Sequence, residues 1–522
     1  MMVHFIRDNL KTGLFIGVFV SIAALMTAFC SVGLHSRDYI ALISAGVILV
    51  FTGLLLKNNR AAVYLLIIIF PIENISFIYK LSSYKYDTFR ITLLDIYLLL
   101  ALICLFIFKS THKTSAFSKE VKYPGYKLLL FISLLFFCAL SMLWAPHVVL
   151  SFYHIFKLMM NAAMFWILVT LLTDERGLVL AAKIVIATSV VSAIGMLITM
   201  LPLWNISETF PLGDRFSMEV SFLSYQTKAA CFLPNKSGVI LLVIGTLLSF
   251  GLLSRTTERK ESHTLIWIIL LLLFTAFHTM ARAPVLSLFI SILLLFLSLK
   301  PFRINVVKHL AIFTLIVLIL FALFTVTHAY IVKIAKSYYQ AEPIQSERAL
   351  QDRLIIWGKA LTAMQEKNAY WLGLGAGAGT FYENPEAHVH NIVFSVFIDF
   401  GFVGLGVLLI LVLSACKSLY TAWWILPDSV MKALFLSAAA GVLSIAFSGM
   451  LDYDYNFNLM WYASAIACAS YRSAVRAASF REGRPNMGNA ALLALPSCEN
   501  RIQRRLAGNL YQQGIVSSRI AS

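Results

Sequence analysis

Residues 264–280 read TLIWIILLLLFTAFHTM and residues 283–299 read APVLSLFISILLLFLSL, with only Ala281 and Arg282 between them. Each run has the length an α-helix needs to cross a hydrocarbon core about 30 Å thick. Two such runs with almost no connection predict a transmembrane helical hairpin. The rest of the chain repeats the theme. Of 522 residues, 60% are hydrophobic and 13% charged, against about 25% charged in a typical soluble domain. A water-soluble core could not hide that much apolar surface. The fold class is therefore all-α, a polytopic transmembrane helical bundle.

Outward from this hairpin, further apolar runs lie at 13–34, 39–56, 61–79, 91–108, 128–144, 152–172, 178–204, 232–254, 309–329, 391–415, 430–449 and 455–471. With the hairpin runs 264–281 and 283–299 they predict 12 to 14 spans. The first run is too long for a signal-peptide core and has no small-residue cleavage site, so it is read as a span. The chain divides into transmembrane helices over 1–329, an exterior loop over 330–390, C-terminal transmembrane helices over 391–471 and a basic tail over 472–522, expected to be disordered. The long loop carries Leu350, Leu354, Trp357 and Leu361 at helical spacing and is expected to fold as helices lying on the membrane.

The net charge is +17, from 42 Lys and Arg against 25 Asp and Glu. These cations sit mostly in short connections and in the tail, with no nucleic-acid motif beside them. Contact with anionic membrane lipids explains them better than nucleic acid does. The loops holding Lys57 and Arg60, Lys109 to Lys127, Arg255 to Lys260, and Lys300 to Lys308 are expected to face the cytoplasm, with both termini. The seven cysteines are odd in number and fall mostly inside apolar runs, as small core residues do.

No phosphate-binding Gly-x-x-x-x-Gly-Lys-[Ser/Thr] loop occurs, and no Cys/His spacing suggests zinc. The stretch Gly373-Leu-Gly375-Ala-Gly377-Ala-Gly379 follows no strand, which excludes a dinucleotide site; it is either a tight connector or a place where amides approach a ligand. Three features then fall on the expected exterior side. Arg282 either snorkels to the interface or turns inward as a bidentate anion contact. Arg353 and Trp357 share a helical face, either as a surface stack or as an anion contact beside an aromatic wall. His388-Val-His390-Asn391 opens the run at 392, and an imidazole there suits proton removal from a hydroxyl near neutral pH.

Together these residues resemble the O-antigen ligase and O-antigen polymerase superfamily: Arg282 in a short turn, Arg353 with Trp357, the glycine-rich turn, and His390-Asn391 before Gly401-Phe-Val-Gly404-Leu. Pro234-Asn235-Lys236 is similar to that family's Pro-Asn motif, with Lys236 where many relatives have an apolar or small residue. Ala281-Arg282 likewise replaces a more usual Ser-Arg. The resemblance covers roughly residues 130 to 470.

It implies an inner-membrane glycosyltransferase, metal-independent and without a cofactor, working on the periplasmic side. Its donor is a glycan on polyprenyl diphosphate, commonly undecaprenyl diphosphate. Its acceptor is lipid A core or a growing glycan. His390, Arg282 and Arg353 would be catalytic. Asn235, Lys236, Trp357, Gly375, Gly377, His388 and Asn391 would bind substrate.

Two alternatives stay open at this point. Asp452-Tyr-Asp454, in a short exterior turn, is either an ordinary exposed pair or a metal or base site. Intramembrane Lys157 and Lys183 would suit a transporter of lipid-linked oligosaccharide, although no internal repeat of the kind transporters show is evident.

Overall fold

The computed structural model describes residues 136–146, 148–172, 174–200, 217–222, 225–230, 235–278, 282–299, 348–378, 391–424, 426–452 and 458–481, with Asp95, Tyr97, Leu98 and scattered positions from 308 to 319. The expected spans at 13–34, 39–56 and 61–79, nearly all of those at 91–108 and 309–329, and the chain beyond 481 lie outside the described residues. The span count and both termini fall there too.

The described chain is a helical membrane bundle. It runs α1 (Val148–Leu171), α2 (Glu175–Met200), a hairpin of β1 (Ser217–Phe222) and β2 (Tyr225–Ala230), α3 (Asn235–Leu253), α4 (Arg259–His278), α5 (Arg282–Ser298), α6 (Arg348–Glu366), α7 (Ile392–Trp424), α8 (Val430–Asp452) and α9 (Asn458–Arg481). Five described helices have the length and apolarity to cross a membrane, and α3 and α5 supply shorter apolar helices of the same character. The small antiparallel hairpin, pairing Ser217 with Ala230 through Phe222 with Tyr225, adds strand to a connection that the apolar pattern left blank.

Local chemistry sets the boundaries. Asp174 caps α2, its carboxylate accepting the Gly177 N–H at 3.3 Å. Ser429 does the same for α8, accepting the Lys432 N–H at 3.2 Å. Pro284 sits in the first turn of α5, where its missing N–H leaves no carbonyl unserved. Two helices outrun the apolar pattern. α7 reaches Trp424, and α9 reaches Arg481, past the tail boundary drawn at 471. The segment RSAVRAASFR is rich in helix-favouring Ala and Arg, and cations suit a helix C-terminus.

α3 is the axis of the bundle. Every residue from Gly238 to Leu252 is buried, as expected of a helix that is apolar on all sides and enclosed by neighbours. Lipid tails give helices little hydrophobic reason to associate, so close packing and hydroxyl bonds hold them together. A Cβ on Gly245 would meet Ser189 Oγ of α2 at 2.4 Å, and one on Gly251 would meet Ser437 Oγ of α8 at 2.3 Å. Ser189 bonds the Leu241 carbonyl at 2.9 Å, and Ser291 of α5 bonds that of Ala440 at 3.0 Å. Ser287 of α5 meets Ser444 at 2.6 Å and Ser448 at 2.9 Å on α8.

These contacts sort the helix ends. Lys183, near the start of α2, pairs with Glu261, near the start of α4, at 2.7 Å. Arg255, just past α3, lies 3.6 Å from Asp428 in the α7–α8 turn. Buried Lys432 bonds the Trp423 and Leu426 carbonyls at 3.1 and 3.0 Å, and Asp428 at 3.2 Å, closing the C-terminus of α7 with a cation. One end of the bundle thus holds the starts of α2, α4 and α8 and the ends of α3 and α7. The opposite end holds the starts of α3, α5 and α7 and the end of α8.

Close approach at Gly251 yields a stability prediction. Gly251→Leu should force α3 and α8 apart and cost about 1–3 kcal/mol, read as a lower melting temperature of the detergent-solubilised protein. Gly406→Leu, where a new Cβ meets nothing within 4 Å, should leave the melting temperature near that of the parent.

Candidate functional site

The site-bearing end is organised by a break in α7. Gly401 has φ 62° and ψ −155°, a backbone conformation open to glycine and strained for other residues. In an uninterrupted helix, Phe402 and Val403 would donate to the carbonyls of Ile398 and Asp399. At the break, the residues after α6 insert instead. Leu374 N–H donates to Ile398 O at 2.7 Å and Gly375 N–H to Asp399 O at 3.0 Å; Phe402 N–H donates to Tyr370 O at 2.9 Å and Val403 N–H to Trp371 O at 3.2 Å. All four backbone groups turned out of the ladder regain partners, as groups screened from water must.

This exchange needs backbone against backbone. A Cβ on Gly373 would lie 2.4 Å from the Asp399 carbonyl carbon, and one on Gly401 would lie 2.4 Å from Trp371 O. Gly373, Gly375 and Gly377 have φ of 74°, 99° and 78°. Their alternation, visible in the sequence, is therefore a tightly turned connector. Its amides are engaged within the protein: Gly375 as above, Gly377 with the Asp399 carboxylate at 2.9 Å, and Ala376 with Ser141 Oγ at 3.1 Å. Ser141 in turn donates to Cys138 O at 2.7 Å, and Ser151 of α1 donates to Ala376 O. The turn is thus clamped between the 3-10 turn Ser141–Leu143, the start of α1 and the first half of α7.

α6 covers this arrangement. It is the helix expected in the long loop, and it packs through Ile356, Ala360, Ala363 and Met364 onto Leu374, Ala378 and Ile398. Of the apolar residues at helical spacing, Leu361 is exposed and Trp357 half-buried. α6 therefore packs on protein along this face. Trp357 stacks on Phe394 with centroids 5.2 Å apart and planes 30° from parallel. Asn368, at φ 48°, ends α6 with the left-handed residue that lets Ala369 N–H return to Met364 O at 2.9 Å. Trp371 is 71% exposed, and its ring contacts Phe402 at 5.6 Å.

The residues expected to act fall as follows. Asn391 caps α7, its side-chain oxygen accepting the Phe394 N–H at 3.0 Å. Asn235 and Lys236 are the first two residues of α3, Arg282 the first of α5, and Asp452 the last of α8. Arg353 lies on α6 one turn before Trp357. Each of these helix ends, with the glycine turn, belongs to the same end of the bundle. His388, His390 and Asp454 lie outside the described residues. Asp399 and Ser151 were not among the sequence candidates. An acidic residue inside an apolar run was the available signal for Asp399; Ser151 offered none.

The intramembrane lysines also find partners. Lys157 bonds the buried carboxylate of Asp95 and lies 5.9 Å from the Tyr153 ring, while Lys183 pairs with Glu261 as described. Each cation faces a carboxylate from a different part of the chain, so both join elements together.

Residues 267–409, under half of the chain, match a family model described as O-antigen ligase. The match supports the O-antigen ligase and polymerase superfamily that the residues resemble, and with it a membrane protein of O-antigen ligase or polymerase type. No curated protein matches the chain. The matched stretch runs from α4 through the glycine turn to the middle of α7.

The clamp predicts a local response. Gly373→Ala should place its Cβ against the Asp399 backbone and loosen the turn, so that limited proteolysis cuts the segment between α6 and α7 several-fold faster than in the parent. Unchanged cleavage would contradict the clamp.

Proposed function

We propose that the protein is a metal-independent, inverting glycosyltransferase of the inner membrane, with both termini cytoplasmic and its active site on the periplasmic side. It would move a glycan from polyprenyl diphosphate, undecaprenyl diphosphate being the usual carrier, to a hydroxyl of lipid A core. The observation that supports this reading is the family match over 267–409, which takes in Arg282, Arg353, Trp357, Gly375, Gly377, His388, His390 and Asn391. The shared end of the bundle on which their described elements open is consistent with it.

In this mechanism Arg282 and Arg353 grip the donor's diphosphate and stabilise charge on it as the glycosidic bond breaks. Asn235, Lys236, Trp357, His388 and Asn391 line the donor and acceptor around them. His390 takes the proton of the acceptor hydroxyl. The acceptor oxygen attacks the anomeric carbon, the bond to the diphosphate oxygen breaks, and polyprenyl diphosphate leaves with the electron pair. One displacement gives inversion. Covering the donor with the long loop would exclude water, which would otherwise hydrolyse it.

Arg282→Ala, Arg353→Ala and His390→Ala should each lower transfer in membranes by about 10²–10³-fold at equal protein level. Near-normal activity in all three would end the proposal. Chelator treatment should leave transfer intact; its loss would shift attention to Asp452 and Asp454. A deletion strain distinguishes the two acceptors: unattached long chains indicate a ligase, whereas single repeat units indicate a polymerase of the same superfamily.

A further inference from the structure

α7 is longer than the membrane it crosses. Its 33 residues rise about 50 Å, against a hydrocarbon core about 30 Å thick. The break at Gly401 divides it unequally, and from Phe402 to Trp424 the rise is about 33 Å, enough for one crossing. α1 gives the same measure independently. Ser151, bonded to the Ala376 carbonyl of the glycine turn, opens a candidate span of 21 residues that ends at Leu171, a rise of about 30 Å.

Surface chemistry changes at the same level. Beyond the break, Phe402, Val403 and the unbroken series from Leu409 to Leu413 are exposed, a surface suited to acyl chains. Lys417, exposed near the far end, reaches the interface along its aliphatic stem. Before the break, α7 is mostly enclosed by protein. α6, which covers it, exposes Lys359, Gln365, Glu366 and Lys367 along with Ile355 and Leu361. Charged side chains stay out of hydrocarbon, so this face belongs in water. Tryptophans mark the border. Trp371 is 71% exposed, with its carbonyl bonded to Val403 N–H and its ring against Phe402. Trp144 is partly exposed at the same height, next to Ala145, which a Cβ on Gly375 would meet at 2.7 Å. Tyr420 and Trp424 are exposed at the other end of α7. Trp and Tyr gather at the two membrane–water interfaces.

We infer that the edge of the hydrocarbon on the glycine-turn side lies at Gly401, and that Trp371, Trp144 and Phe402 form a surface seated among lipid headgroups and upper acyl chains. The occupant of this surface is the bilayer itself. α6 and the first half of α7 stand in water above it, and the glycine turn lies at the height of lipid phosphates. The placement rests on length and surface chemistry and does not depend on the transferase reading.

Nitroxides on single cysteines test the level, in protein reconstituted into phosphatidylcholine vesicles with its seven native cysteines replaced. The variants are Lys359→Cys, Val393→Cys, Val403→Cys, Leu411→Cys and Trp424→Cys, all at exposed positions. The readout is collision with oxygen, which dissolves in lipid, relative to collision with a neutral nickel chelate, which stays in water. Both reagents are uncharged, so local charge does not set the ratio. It should be several-fold higher at Leu411 than at Lys359 and Val393, with Val403 and Trp424 between.

Val393 as lipid-immersed as Leu411 would overturn the inference, since the break would then lie inside the hydrocarbon. Val403 as water-exposed as Lys359 would overturn it too, by moving the edge toward the far end. If the cysteine-free protein does not fold, Trp371 decides in the otherwise unaltered chain. The emission lost in Trp371→Phe should be quenched more by lipids brominated near the glycerol end of the chain than by lipids brominated near the methyl end. Equal quenching, the reverse order or no quenching by either lipid would contradict the placement. Neither readout needs activity, so absence of transfer would end the transferase reading and leave this one to its own result.

Discussion

A helix crossing lipid has no water to satisfy a broken backbone, so any interruption must be repaired by protein. α7 is interrupted at Gly401, and the repair is made by residues 370–375, which supply two donors and two acceptors. That exchange fixes the glycine turn and the end of the α6 connection to α7. It dictates glycines at 373 and 401, where backbone meets backbone, and places α6 over the start of α7. Loss of the break would leave the glycine turn without its acceptors and α6 without the surface it packs on.

Around this junction small residues and hydroxyls let the helices approach closely, beside a core of buried Leu, Ile, Met and Phe. α3 touches α2 through Gly245 and Ser189, and α8 through Gly251 and Ser437, so its whole circumference is enclosed. At the opposite end from the glycine turn, Lys183, Glu261, Arg255, Asp428 and Lys432 join helix termini, while Lys157 on α1 pairs with Asp95.

Much of this was legible in the sequence because hydrocarbon thickness imposes a length on each apolar run. The starts of α3, α5 and α7 fall at Asn235, Arg282 and Ile392, at or within three residues of where the polar-to-apolar switch puts them. The alternating glycines signalled a tight turn. What they turn against was hidden, because Ile398 and Asp399 engage it mainly through carbonyls, and a carbonyl has no sequence signature. The break itself was masked by the surrounding Phe and Val, which keep the run apolar on both sides of Gly401. The hairpin at 217–230 and the extension of α9 escaped because neither depends on hydrophobic length. Arg282 was visible as a cation at the end of an apolar run and Arg353 by its helical spacing to Trp357, whereas Ser141 and Ser151 are ordinary residues made important by what folds onto them.

Purified protein in detergent tests the proposed transfer most directly. Given lipid-linked donor and acceptor together, with no membrane separating two compartments, it should release polyprenyl diphosphate in step with glycan appearing on the acceptor. Failure to release it there, with activity recovered only when sealed vesicles provide two compartments, would contradict the account and favour transport.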